Sequence, residues 1–242
     1  MAESAGIGSI PWPEYDGVQM PALKFDLVLI DFDGTLCATQ TAIAHCVKAT
    51  LLEETGAAPS DSSVLEVISS GVGLEDTFRT LVKVTLDADT VSRLVKSYRA
   101  RYDVEGDPRT TMFPGWHDVL SSLSRLGVAA VVVSNKGIKS VQNAMNQFGI
   151  ADRVALVIGD MPGISRKPDP AVFHAAILPR YPEVNRERIL VVGDTDADIR
   201  FARNLEAASC WASYGYGRRD VCSALKPDYT IESPSLLLEM IA

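Results

Sequence analysis

The sequence predicts an α/β protein, a doubly wound parallel sheet carrying an inserted α-helical domain. Three observations predict it. Short apolar, β-branched runs alternate with segments of helical period. Small polar residues follow directly on the ends of several runs. After the first run come about 75 residues with no strand run of their own, too long for an ordinary connection. The composition agrees: 242 residues, 47% hydrophobic and 22% charged, describe a globular chain of one or two domains. Twenty-three basic residues against 31 acidic ones, a formal net charge of −8, argue against nucleic acid or an anionic membrane as partner. No apolar run approaches the roughly 18 residues of a membrane helix. An anionic ligand would need a metal or local donors to hold it.

The first 23 residues contain no Lys or Arg and include Pro11, Pro13 and Pro21. They read as an extended leader, 1–23, rather than a secretory or mitochondrial signal, with Trp12 and Tyr15 available to dock it. Phe25 to Ile30 is a buried strand that stops at Asp31-Phe32-Asp33-Gly34-Thr35. Helices are expected at Ile43–Thr55, Ser62–Ser69, Leu74–Leu86 and Thr90–Tyr102, punctuated by Gly56, Pro59, Gly71 and Gly73. They form a helical cap, 37–108, inserted into a core of 24–36 and 109–242. With seven basic and eleven acidic residues from Cys37 to Pro108, the cap as a whole does not attract phosphate. Val119, Leu120, Leu123 and Leu126 mark the next helix, before Gly127. Strand Val128–Val133 follows, then a helix with Ile138, Val141, Met145 and Phe148 on one stripe and Gly149 as its stop. Strands Val154–Ile158, Ile189–Val192 and Ala208–Ala212 complete a Rossmann-like sheet. Cys37, Cys46, Cys210 and Cys222 form no CxxC pair and read as free thiols of a cytoplasmic protein.

Open parallel sheets bind ligands beyond the carboxyl ends of their strands. Asp31 and Asp33 follow the first strand, Ser134 and Asn135 the second, and Asp194, with Asp196 and Asp198 behind it, the fourth. Two acids at i and i+2 can hold a hard cation, and Asp194 would complete the set. If a helix begins at once, Asp194 and Asp198 stack one turn apart and repel unless a cation sits among them. The alternative is that Asp194, Thr195 and Asp196 merely cap a helix. Four acids at two strand ends favour the metal. Lys167 precedes Pro168, which biases it to an extended backbone and could fix its ammonium near the carboxylates; a solvated surface charge is the competing reading.

The motifs DFDGTL (Asp31–Leu36), VVVSN (Val131–Asn135), KPDP (Lys167–Pro170) and GDTDAD (Gly193–Asp198) resemble, in this order, the four motifs of the haloacid dehalogenase superfamily. The resemblance runs from about Phe25 to the end, including FPGW at Phe113 and NKGI after Ser134. Within the superfamily it is similar to the phosphoglycolate phosphatase-like branch, whose helical cap follows the first motif. The resemblance implies that Asp31 is a nucleophile forming an aspartyl-phosphate and that Asp33 is the general acid and base. It implies phosphate-binding roles for Ser134, Asn135 and Lys167. It also implies a Mg²⁺ site of Asp31, Asp33 (through its carbonyl), Asp194 and Asp198, the last orienting the metal's water. Gly71-Val72-Gly73 resembles the substrate-specificity loop. An acid two residues after the nucleophile points to phosphate esters rather than attack on carbon, though a sugar phosphomutase shares it. The expectation is a Mg²⁺-dependent phosphatase, monomer or homodimer, acting on phosphoglycolate or another small phosphorylated metabolite. A phosphomutase and a catalytically silent binding module are the alternatives. Arg79 or Lys83 could meet a substrate carboxylate, and His45 could face the cleft, but solvation or packing is the simpler role for each. Cys37 reads as a small packed thiol; Trp116, Trp211, Tyr214 and Tyr216 read as packing.

Overall fold

The computed structural model describes residues 23–82 and 85–241. Strand β1 (Leu27–Ile30) leads into β2 (Cys37–Ala38), which pairs antiparallel with β3 (Thr111–Met112). Between β2 and β3 lie the helices α1 (Gln40–Thr55), α2 (Asp61–Ile68), α3 (Leu74–Leu81) and α4 (Ala88–Arg101). After β3 come α5 (Trp116–Arg125), β4 (Ala129–Gly137), α6 (Ile138–Gln147), β5 (Leu156–Asp160) and β6 (Ile189–Gly193). The chain continues through α7 (Asp196–Asn204), β7 (Ala208–Ala212), α8 (Arg219–Ala224), β8 (Tyr229–Ile231) and α9 (Leu237–Ile241).

Six strands form one parallel sheet in the order β5-β4-β1-β6-β7-β8. All four residues of β1 are buried, because the central strand is covered on both faces. Val28 and Ile30 pack on one side with Trp116, Leu120 and Met145, while Leu27 and Leu29 face Phe173, Ile177 and Phe201 on the other. This is the doubly wound architecture that the alternating runs predict. The helices between β2 and β3 have a core of their own, in which Phe78, Val91, Leu94, Tyr98 and Tyr102 pack against Ala42 and Cys46.

Several boundaries move. The helix expected at Leu74–Leu86 ends at Leu81, where Val82 turns extended (φ −89°, ψ 115°); β-branched Val82 and Thr85 are weak helix formers. Asp87, accepting from the Thr90 amide at 2.7 Å, caps α4, which starts two residues early and runs on through a π-helical turn at Tyr102–Gly106. A single π turn carries no sequence signature. The third sheet strand shifts from Val154–Ile158 to Leu156–Asp160, set by pairing of Val131 with Leu156, and the edge strand β8 was not expected at all. Most of the leader, 1–22, and Lys83 lie outside the described residues.

All four cysteines are buried and free. Burial pushes Cys46 up to about 11, Cys210 and Cys222 each up to about 12, and Cys37 upward as well. Iodoacetamide at pH 8 should therefore leave the folded protein unlabelled and modify all four thiols in urea, as read by intact mass; rapid labelling of native Cys37 would contradict this packing.

Candidate active site

The ladder between β1 and β6 continues one residue past β1, with the Asp31 amide donating to the Val192 carbonyl at 2.9 Å. Asp31 therefore stands at the sheet's carboxyl edge beside Asp194, the residue after β6. Carboxylate oxygens of Asp31, Asp194 and Asp198 all lie within 4.8 Å of one another. The Lys167 ammonium bridges two of them, 2.7 Å from Asp31 Oδ1 and 2.7 Å from Asp198 Oδ1, in a site where the lysine is 7% exposed. Asp194 Oδ2 accepts from the amides of Tyr216 (2.7 Å) and Gly217 (3.2 Å), and its Oδ1 from the Thr35 hydroxyl (3.2 Å). Gly34, at φ +82°, passes so close that any Cβ would overlap the Asp194 carboxylate.

The two readings of Asp194 to Asp198 prove compatible, but the expected stacking does not occur. Helix α7 starts at Asp196, so Asp194 precedes the N-cap instead of sitting one helical turn below Asp198. Thr195 is the cap, and Asp198 at the third helical position accepts from the Thr195 amide (3.1 Å) and hydroxyl (2.8 Å). That capping box turns the other oxygen of Asp198 towards Lys167.

Burial is the largest influence on Asp31, whose carboxyl is pushed up to about 7; Lys167 opposes the rise, while Asp198 and Asp33 add to it. Asp194 is pushed well above the carboxylate range, first by burial and then by Asp31 and Asp198. Burial works against the charge on Lys167, yet Asp198 and Asp31 outweigh it and keep the ammonium protonated. Asp33 Oδ1 accepts from a second buried lysine, Lys136, at 3.3 Å, and that ammonium also sits 3.9 Å from the Tyr102 ring centroid. Four acids thus face two lysines, and burial resists the two negative charges that full ionisation would leave unbalanced. A divalent cation would balance them, and a donor set of carboxylates suits a hard one.

Strand β4 runs on to Gly137 instead of stopping at Val133, and Ser134, just past the regular pairing that ends at Val133, is buried and accepts from the Lys136 amide at 3.2 Å. Asn135, expected among the phosphate-binding residues, clamps the Lys167 peptide: its Oδ1 accepts from Lys167 N (3.0 Å) and its Nδ2 donates to Lys167 O (3.1 Å). A cavity of about 390 Å³ opens over these groups, with Asp31, Asp33, Ser134, Asn135, Lys167 and Asp198 in its floor. Gly71, Val72 and Gly73, in the turn between α2 and α3, line the opposite wall. Gly71 adopts φ +66° against α7, where a Cβ would come 3.0 Å from Thr195 Oγ1. Asp194 lies behind the floor.

His45 instead pairs with Glu105 at 2.6 Å, and Arg79 donates to the Leu86 carbonyl at 3.0 Å; neither lines the cavity. The aromatic residues read as packing hold backbone: Trp116 and Tyr214 both donate to the Thr35 carbonyl (2.8 and 2.9 Å), and Trp211 donates to the Asp194 carbonyl (2.9 Å). The Tyr216 hydroxyl accepts from the Thr39 and Gln40 amides at the start of the inserted helices and also lines the cavity.

The family model for haloacid dehalogenase-like hydrolases matches residues 28–212. The chain belongs to this family. Phosphoglycolate phosphatase of Vibrio parahaemolyticus is 27% identical over 220 residues, covering 89% of this chain and 96% of its own. N-acetylmuramic acid 6-phosphate phosphatase of Pseudomonas putida is 27% identical over 194 residues, covering 80% and 85%. A solved haloacid dehalogenase-like hydrolase from Bacteroides fragilis shares the fold, with a TM-score of 0.80 at 24% identity over 88% of this chain and 100% of that one. Family membership together with these relatives indicates a phosphatase.

In this haloacid dehalogenase-like hydrolase, further charged groups join the inserted helices to the core, and sequence reasoning singled out none of them. Asp160, at the end of β5, accepts from Arg166 (2.8 and 3.0 Å) and from Arg99 of α4 (3.1 Å). Lys139 of α6 reaches Asp103 at 2.5 Å, and Asn143 donates to Asp107 at 3.0 Å. Lys136 belongs with them: it lies inside the NKGI stretch, but no local spacing marks which acid a lysine will meet.

Proposed function

We propose that this chain is a Mg²⁺-dependent phosphatase that hydrolyses a small phosphate monoester through an aspartyl-phosphate on Asp31, with 37–108 as a cap over the core of 24–36 and 109–242. The observation that carries the reading is the Asp31 carboxylate, set in the cavity floor with the Lys167 ammonium 2.7 Å from its Oδ1. Asp31 attacks phosphorus; a new O–P bond forms as the ester P–O bond breaks, and Asp33 delivers a proton to the departing alcohol. Asp33 then takes a proton from a water that attacks the phosphoaspartate, which regenerates Asp31 and releases inorganic phosphate. Lys167 and the Ser134 hydroxyl stabilise the transferring phosphoryl oxygens, and Asn135 holds the Lys167 backbone in place. Lys136 orients Asp33. Asp31, Asp194, Asp198 and the Asp33 carbonyl would hold Mg²⁺, which supplies positive charge against the phosphoryl group when bound.

The relatives named above support a small phosphorylated metabolite as substrate, phosphoglycolate among them. Four free, buried thiols fit a cytoplasmic protein, and no described helix is long and apolar enough to cross a membrane. We take the protein to act as a monomer or homodimer. The test is release of phosphate from p-nitrophenyl phosphate with Mg²⁺ and with EDTA. Activity should need the metal, and Asp33→Asn should slow turnover while melting like wild type. Equal activity in EDTA, or an unimpaired Asp33→Asn enzyme, would refute the mechanism; an isomeric product from a hexose 1-phosphate would favour the mutase, and an inert wild type the silent module.

A further inference from the structure

We infer that the leaving group this phosphatase accepts is an uncharged alcohol larger than two carbons, and that the cavity discriminates against a carboxylate there. The inference rests on the phosphatase reading above and specifies its substrate class.

Away from the phosphoryl end, four basic side chains line the cavity, Arg99, Lys136, Lys139 and Arg166, and each is already engaged. Arg99 and Arg166 converge on Asp160, and Arg166 also lies 3.8 Å from Glu75. Lys139 holds Asp103 at 2.5 Å, and Lys136 lies between Asp33 and the face of Tyr102. Lys167, the remaining base, is engaged twice, by Asp31 and Asp198. Five basic and five acidic side chains line the whole cavity, so among the described residues no cation is left for a second substrate anion. The rest of the wall is uncharged, with apolar Ile43, Ile68, Val72, Leu74 and Ile138 beside the hydroxyl-bearing Thr77, Tyr98, Ser140 and Tyr216.

A carboxylate entering this space must pull Arg166 or Lys136 from an acid, lean on the exposed Arg99 or Lys139, or rest against uncharged side chains. The first is costly and the others hold it weakly, because removing charge from water is compensated only by a well-placed, desolvated counter-ion. An uncharged alcohol requires none of these, and unpaired charge is a strong device for rejecting a wrong ligand. Size points the same way. A phosphorylated two-carbon acid has nine non-hydrogen atoms, which fill at most about 270 Å³ even at water's share of about 30 Å³ each. The cavity measures about 390 Å³.

The experiment compares kcat/KM for 2-phosphoglycolate, 2-hydroxyethyl phosphate and glycerol 1-phosphate, with p-nitrophenyl phosphate as a check of activity. The first pair differs in charge at nearly equal size, and the second pair in size without added charge. Hydroxyethyl phosphate should exceed phosphoglycolate by about tenfold or more, and glycerol 1-phosphate should be better still. Asp160→Asn, which removes the acid that engages Arg99 and Arg166, should narrow the first gap by raising activity on phosphoglycolate. A wild type that prefers phosphoglycolate, or handles neither alcohol phosphate better than it, overturns the inference while leaving the phosphatase reading intact. A wild type inert even on p-nitrophenyl phosphate with Mg²⁺ removes both.

Discussion

Asp31→Asn is expected to lower phosphate release by three orders of magnitude or more, equivalent to at least about 4 kcal/mol of transition-state stabilisation at 1.36 kcal/mol per decade. A carboxamide has almost the shape of a carboxylate, and its oxygen can still accept from Lys167, now 2.7 Å away. The fold should survive. Stability should even rise in the absence of metal, because burial already penalises ionised Asp31, pushing it up to about 7, and the neutral amide escapes that penalty. The expected signature is thus an enzyme without turnover that melts at or above the wild-type temperature in EDTA, with a smaller stabilising shift on adding Mg²⁺. Retention of a tenth of wild-type activity would exclude Asp31 as nucleophile.

Lys167→Met is expected to damage both stability and catalysis. The substitution leaves Asp31 and Asp198 without the ammonium that bridges them, in a place where Lys167 is buried and Asp194 is a third acid. Stripping one partner from a buried ion pair costs roughly 3–5 kcal/mol. The pH dependence has a definite sign. Asp31 already titrates higher in the folded chain than the ordinary carboxylate value, so its ionised form destabilises the fold above that ordinary value, and losing Lys167 lifts it further. The deficit relative to wild type should therefore be small near pH 4–5, where the carboxyls can bind protons, and largest at pH 8. Mg²⁺ should recover part of the stability but not the activity, which should fall at least about a hundredfold with the loss of phosphoryl stabilisation. Denaturant melts at two pH values, with and without metal, read this directly; a deficit independent of pH would show that packing, not charge, is what the lysine supplies.

Much of this site is legible in the chain because strand ends are. Asp31, Ser134 and Asp194 each follow an apolar run, and a parallel sheet brings all such ends to one edge whatever lies between them. Lys167 is placed by the same reasoning only weakly, since a lysine before proline has no strand to aim it; the Asn135 clamp on its peptide does that work. The inserted helices are visible as periodic segments, and their ends are not, because Val82, Asp87 and the π turn at Tyr102–Gly106 depend on cap geometry and packing. Edge strand β8 is three residues long and takes its conformation from pairing with β7.

From the residues alone follow the order of the elements, the doubly wound sheet, the helical insertion and the cluster of acids at one sheet edge, since periodicity and strand termini are local properties of a chain. Which cation meets which acid was decided by the tertiary structure. Lys136 finds Asp33 across 103 positions where two ends of the core sheet meet, and Arg99 finds Asp160 across 61, a contact made only when helix α4 settles beside β5. Ion pairing depends on distance in space, and that packing, with no local pattern to announce it, leaves the cavity's bases already matched to acids.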